Sequence, residues 1–149
     1  MFRQIYDFPR VVLNQSGATA TDTIHRLTCR EERELVISNT YTYLTAASAE
    51  IEGRSYGGGV LELEPTEAER LLMPAKLGRG LSLEETDSLV RAGRLNAVLV
   101  ENAKLILRDV IGLTTAECRA LKGIWEKMRD RRMARRRRGC SETETASAQ

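Results

Sequence analysis

Val11-Val12-Leu13-Asn14-Gln15-Ser16-Gly17-Ala18-Thr19-Ala20-Thr21-Asp22-Thr23-Ile24-His25-Arg26-Leu27 and, further on, Gly53-Arg54-Ser55-Tyr56-Gly57-Gly58-Gly59-Val60-Leu61-Glu62-Leu63-Glu64-Pro65 frame the part of the chain whose reading decides the fold. Residues 10–14 hold three consecutive aliphatics and suit a buried strand. Gln15–Thr21 has the Gly, Ala, Ser and Thr composition of a loop. Thr23–Cys29 alternates apolar and polar residues and reads as a second strand. The short loop makes the two strands antiparallel neighbours. From Glu32 to Glu52 the period becomes helical, with Ile37, Tyr41, Leu44, Ala47 or Ser48, and Ile51 on one side. The run Thr45-Ala46-Ala47-Ser48-Ala49 allows close approach to a neighbour, and Gly53 is placed to end the helix. Val60–Leu63 reads as a short strand, and Pro65–Glu69 as a helical turn with Thr66 as N-cap and Glu69 closing a capping box. The expectation is an α+β fold: a small antiparallel sheet from residues 10–29 and 60–63, packed with the helix over 32–52.

Working outward, Lys76–Gly80 has the composition of a linker. Ser82 and Glu85 form a capping-box pattern that opens a helix to about Ala92, which Gly93 ends. Leu95–Val110 reads as one helix, and Thr114 with Glu117 opens another. In that last helix Cys118, Leu121, Trp125 and Met128 make a seam suited to another helix. Gly139–Gln149 is rich in Ser, Thr, Glu and Ala and reads as a disordered tail. The domain division expected is 1–75, a helical region over 76–138, and the tail 139–149.

An apolar content of 42% and a charged content of 30% place the chain among soluble globular proteins. No apolar run approaches the ~18 residues of a membrane span, and no signal core is present, so a cytoplasmic location is expected without a membrane partner. Cys29, Cys118 and Cys140 are widely spaced and His25 is the single histidine, which leaves no zinc, disulfide or histidine-triad pattern. The three cysteines read as reduced thiols in the core or tail. Arg119–Arg138 carries a net charge of +8 and the rest of the chain −6, an acidic body with a basic arm that suits a polyanion or an acidic partner.

Asn14-Gln15-Ser16-Gly17, a threonine-rich turn, a strand with His25-Arg26, a helix of small residues and the block Gly53–Pro65 occur in that order. In this the chain resembles the target-recognition end of the adenine-specific, S-adenosylmethionine-dependent DNA methyltransferases of restriction-modification systems. The resemblance covers residues 10–74 closely and the helical remainder loosely. Members of that family carry a glycine-bearing cofactor motif and an Asn-Pro-Pro-Tyr or Asp-Pro-Pro-Tyr catalytic loop. Here Pro9, Pro65 and Pro74 are the only prolines and none adjoins another, so that loop is absent. The resemblance therefore implies a recognition fragment with no catalytic, cofactor-binding or metal-binding residues of its own; S-adenosylmethionine belongs to the intact family enzyme.

Two groups of residues are candidates for DNA contact. The first is Asn14, Ser16, Thr19, Thr21, Thr23, His25 and Arg26, whose hydroxyl, amide and guanidinium groups suit phosphates and base edges. The plainer reading is a turn in which Asn14 and Ser16 satisfy their own backbone. The second is Arg54, Tyr56, Gly57, Gly58 and Gly59, where bare backbone amides could approach a phosphate, Arg54 adds charge and Tyr56 could stack. The plainer reading is a flexible connection or a close backbone crossing. It is not a Walker loop, because no Gly-Lys-Ser or Gly-Lys-Thr follows. The arginine run suits nonspecific phosphate attraction or a solvated helix end. Glu62 and Glu64 read as solvent-facing strand positions, and Glu84, Glu85 and Asp87 as first-turn acids that complement a helix dipole.

The sequence thus points to a DNA-recognition fragment that positions duplex DNA for a separate or lost catalytic domain. The apolar face such a domain leaves is exposed or binds a separate catalytic methyltransferase subunit. Phe2, Ile5, Tyr6 and Phe8 lack an obvious local partner and fit a truncated chain. The alternatives are a helical protein-interaction module using the Cys118–Met128 seam, or a non-functional truncated remnant.

Overall fold

Three antiparallel strands of two residues each make the sheet: β1 (Gln4–Ile5), β2 (Arg54–Ser55) and β3 (Leu61–Glu62), in the order β1-β3-β2. In register, Gln4 and Arg54 flank Glu62, and Ile5 and Ser55 flank Leu61. Strands this short are held by their surroundings. Ile5, Leu61 and Leu63 are buried beneath them. On the upper side Arg3 Nε lies 2.9 Å from Glu62 and Arg3 Nη2 pairs with Glu64. Those two carboxylates thus serve a cross-strand ion pair, not open solvent.

This computed structural model describes residues 1–30, 32–74 and 77–146, the side chains of Gly57 and 135–146 excepted. The fold class is α+β. The expected strand over 60–63 is present as β3, but the other two strands use residues outside the expected 10–29. Residues 10–14 form no strand: Val11 is buried, but Val12 is 56% exposed and no ladder pairs it. Of the expected strand Thr23–Cys29 one bridge remains, Ile24 to Phe2, with Arg3 N–H donating to the Thr23 carbonyl at 3.0 Å. At one edge of the sheet stands β1, and of the apolar residues in and around it Ile5 and Phe8 are buried within this chain, whereas Phe2 and Tyr6 are exposed.

The helix expected over 32–52 is two: α1 (Arg33–Thr40) and α2 (Tyr43–Glu52). Tyr41 leaves helical geometry, and Thr42 restarts it as an N-cap whose hydroxyl accepts from Thr45 N–H. Helix α3 (Pro65–Glu69) is capped two residues earlier than expected. Glu64 is the N-cap, Pro65 holds the first helical position and Glu67, in place of Glu69, returns its carboxylate to the Glu64 N–H.

Helix α4 (Leu83–Arg91) has the Ser82–Glu85 capping box, and Gly93 at φ 71° follows it. Helix α5 (Leu95–Asn102) runs into a π-helical turn, Ala103–Arg108, where one uniform helix is expected. Between α3 and α4, Gly78 and Gly80 are packed: a methyl group on Gly80 would lie 2.4 Å from Asn102 Oδ1 and 2.7 Å from Ile106. Asn39 clamps Gly78 through both its amide atoms.

Helix α6 (Thr115–Ala146) begins with the Thr114–Glu117 box and continues through the stretch expected as a disordered tail; 147–149 lie outside the described residues. Its seam is spent within the chain. Cys118 and Trp125 are buried, and Trp125 meets Phe8 edge-on at 6.4 Å and Tyr43 at 6.0 Å. Burial pushes the Cys118 thiol above its usual range and the Tyr43 hydroxyl up to about 12, with Glu126 adding to the latter. No helix among the described residues is long and apolar enough to cross a membrane.

Candidate nucleic-acid interface

The candidate residues fall on opposite edges of the sheet. Thr23 and Ile24 attach outside β1, whereas Arg54 lies in β2 beyond β3. Three strand spacings separate the two edges, roughly 14 Å. The two groups are therefore distinct patches and form no single cluster.

In the first patch the local turn absorbs several groups. Asn14 Nδ2 donates to the Ala18 carbonyl at 2.7 Å, and its Oδ1 accepts from Ala18 N–H at 3.1 Å and Ser16 Oγ at 3.3 Å. Gly17 at φ 68° lets the chain close around that side chain. Thr21 and Thr23 share a hydroxyl hydrogen bond of 2.7 Å. The His25 ring sets Nε2 2.6 Å from the Leu63 carbonyl, which fastens this segment to the end of β3. Thr19 and Arg26 are exposed.

The second patch is a 3-10 turn, Gly57–Gly59, between Tyr56 and Val60. Gly58 and Gly59 have φ of 77° and 73°, which a residue with a Cβ would resist. Tyr56 N–H donates to the Val60 carbonyl at 3.1 Å and closes the turn, while the Tyr56 ring is 49% exposed. Gly58 is exposed, but Gly59 is buried against α6. The glycines thus combine a backbone crossing with an open tip.

Arg54 is committed to the fold. Its Nε and Nη2 donate to Glu67 Oε1 at 3.0 and 2.6 Å, while Glu67 Oε2 accepts the Glu64 N–H at 2.9 Å. Arg54 thereby ties β2 to the cap of α3. The hydrogen bonds from Arg54 hold the Glu67 carboxyl below the usual carboxylate range, against its desolvation. A carboxyl depressed on folding stabilises the protein above its unfolded value, near 4.3. That contribution is lost as pH falls through the folded value. Between about pH 6 and pH 3, thermal melts of the wild type are expected to fall further than those of Glu67→Gln; parallel curves would contradict this coupling.

A buried charged cluster escaped the sequence reading. Arg132 and Glu50 side chains, 3% and 4% exposed, pair through Nε–Oε2 at 3.1 Å and Nη2–Oε1 at 2.5 Å. Nη2 also donates to the Tyr6 carbonyl at 2.8 Å, and Nη1 donates to the carbonyl of Gly59. In the sequence Arg132 is hidden in an arginine run. The signal was its spacing: it follows Trp125 by seven residues and takes the next inward position of the seam.

The comparison with known proteins fits both patches into one family. The family described as Type II methyltransferase M.Eco57I, C-terminal domain, matches residues 1–107. The chain belongs to that family. This places it in a restriction-modification context as the C-terminal region of a methyltransferase. No curated protein and no solved structure matches it. The matched segment of this M.Eco57I-type domain contains all twelve candidate contact residues from Asn14 to Gly59 and ends before α6.

Proposed function

We propose that the chain is a DNA-recognition module of an adenine-specific Type II methyltransferase, and that methyl transfer belongs to a separate catalytic polypeptide or domain. The observation that carries this reading is the M.Eco57I C-terminal-domain match over 1–107, which contains both patches. The absence of any adjacent prolines supports the second clause, since the adenine-gripping loop needs them. The reading assigns no S-adenosylmethionine site to this chain.

The contact set narrows to the groups that the fold leaves open. Arg26 and Thr19 serve one edge, and Tyr56 with the Gly58 backbone serves the other. Asn14, Ser16, Thr21, His25 and Arg54 shape the backbone around them. Exposed Lys127 and Arg131 on α6 add sequence-independent phosphate attraction. The interaction-module alternative loses its seam to internal packing, because Cys118 and Trp125 are buried in this chain.

Duplex affinity of point variants tests the reading. Tyr56→Ala removes a stacking platform and is expected to cost about 1–3 kcal/mol in binding. Arg26→Ala is expected to weaken binding and to lower the salt slope by about 1. Arg54→Ala acts through the α3 cap, so its loss of affinity should track its loss of stability. Equal duplex affinity for wild type, Tyr56→Ala and Arg26→Ala would contradict the placement. Methyl transfer by this chain alone, with duplex and S-adenosylmethionine, would contradict the division of labour.

A further inference from the structure

We propose that Arg132, which lies outside the family-matched segment, is the positioning residue of the glycine turn and sets how Tyr56 and Gly58 are presented. This rests on the reading that the turn faces DNA. A buried ion pair is a poor device for stability alone, since well-packed apolar residues of the same volume often do as well or better. What an apolar pair cannot supply is a fixed fork of donors.

Here the fork is fully used. Glu50 sits in α2 and holds the guanidinium side-on through Nε and Nη2. The plane of the fork is thereby set by a rigid helix. Its other donors then fall on two carbonyls, Gly59 in the turn and Tyr6 beyond β1. Gly58 and Gly59 occupy positive φ in succession, a geometry with little intrinsic preference in glycine and no side chain to pack it. An external anchor on the Gly59 carbonyl is what selects it. Tyr56, closed onto Val60 by its own N–H, moves with the turn.

The test is Arg132→Lys, which keeps the charge opposite Glu50 but loses the fork. Followed by amide hydrogen exchange and NMR without DNA, Gly58, Gly59 and Val60 are expected to exchange about tenfold faster, while α5 amides keep their rates. Duplex affinity should fall by about tenfold, and Tyr56→Ala should add little to that loss when the two changes are combined. Unchanged glycine amides in a folded variant would overturn the proposal. So would uniform acceleration across all elements, which marks a merely structural role. Should Arg132→Lys not fold, the wild-type guanidinium decides. Slowly exchanging Nη–H signals with Overhauser contacts to Gly59 are expected, and averaged, rapidly exchanging signals would overturn the assignment. Failure of the wild type to bind duplex would remove the DNA reading and leave the glycine-amide result to judge Arg132.

Discussion

Trp125→Ala is expected to lower the stability of the protein by about 3–5 kcal/mol, the range for deleting a large aromatic from a packed core. Trp125 is 3% exposed, and its ring closes on two others, Phe8 and Tyr43, with Phe8 in turn stacked on Tyr41 at 5.1 Å. Its Nε1–H donates to the Asp7 carbonyl at 3.2 Å, so truncation also strands a backbone acceptor. The Arg129 guanidinium lies 4.5 Å over the ring and loses its cation–π partner. No other residue could refill the space, because the ring bridges α6, α2 and the segment after β1. The neighbouring Ile124, 41% exposed, supplies the control: Ile124→Ala should change stability by about 0.5 kcal/mol or less. Urea unfolding of the two variants checks this. A Trp125→Ala loss near that of Ile124→Ala would mean that α6 is not docked as described.

Asn102→Ala is the second large effect, expected at roughly 2–5 kcal/mol from two stranded groups of about 1–3 each, with incomplete additivity. Asn102 is fully buried. Its Oδ1 accepts the Leu81 N–H at 2.9 Å, and its Nδ2 donates to the carbonyls of Ser38 and Tyr41 at 3.1 and 3.0 Å. One side chain thus satisfies the Leu81 N–H ahead of α4 and the Tyr41 carbonyl at the break before α2, and joins the Tyr41 N–H on the Ser38 carbonyl at the end of α1. The loss should appear as a lower urea midpoint with an unchanged slope. A cost below about 1 kcal/mol would show that the network is not needed to hold the 77–81 segment against α5.

What the sequence made legible were features written in neighbouring residues. The Ser82–Glu85 and Thr114–Glu117 boxes each lie within one helical turn, and their hydrogen bonds are formed as read. The small-residue run of α2 is buried as expected, with Ala46 and Ala49 nearly inaccessible. At α3 the same rule pointed one residue pair too far along, because Pro65 suits the first helical position and so makes Glu64 the cap.

Strand reading found β3 within Val60–Leu63 but missed its two partners, for a physical reason. A two-residue strand carries no period, so β1 and β2 left no pattern to find. The aliphatic run Val11–Leu13 imitated a strand, although no strand pairs with it and the Val11 carbonyl accepts the Tyr41 hydroxyl instead. The break at Tyr41–Thr42 was invisible because the apolar residues keep helical spacing across it, while the carbonyl it frees is taken by Asn102, sixty-one residues away. Arg132 was hidden in the same way: its partners Glu50, Tyr6 and Gly59 are all distant in sequence. At the candidate interface, the sequence names the candidate residues but not which of them the fold binds internally, since partners such as Leu63 for His25 are distant in sequence.

The central claim, a DNA-facing surface on the body of this domain, is tested most directly by fluorescence-anisotropy titration of duplex DNA at two salt concentrations. Wild type, Tyr56→Ala and the chain ending at Ala134 would be compared. The account predicts that Tyr56→Ala weakens binding at both salts, whereas the shortened chain keeps a body-dependent affinity with a flatter salt slope. Binding that is indifferent to Tyr56 and disappears with residues 135–149 would contradict it, and would reduce the interaction to charge attraction by the arginine run.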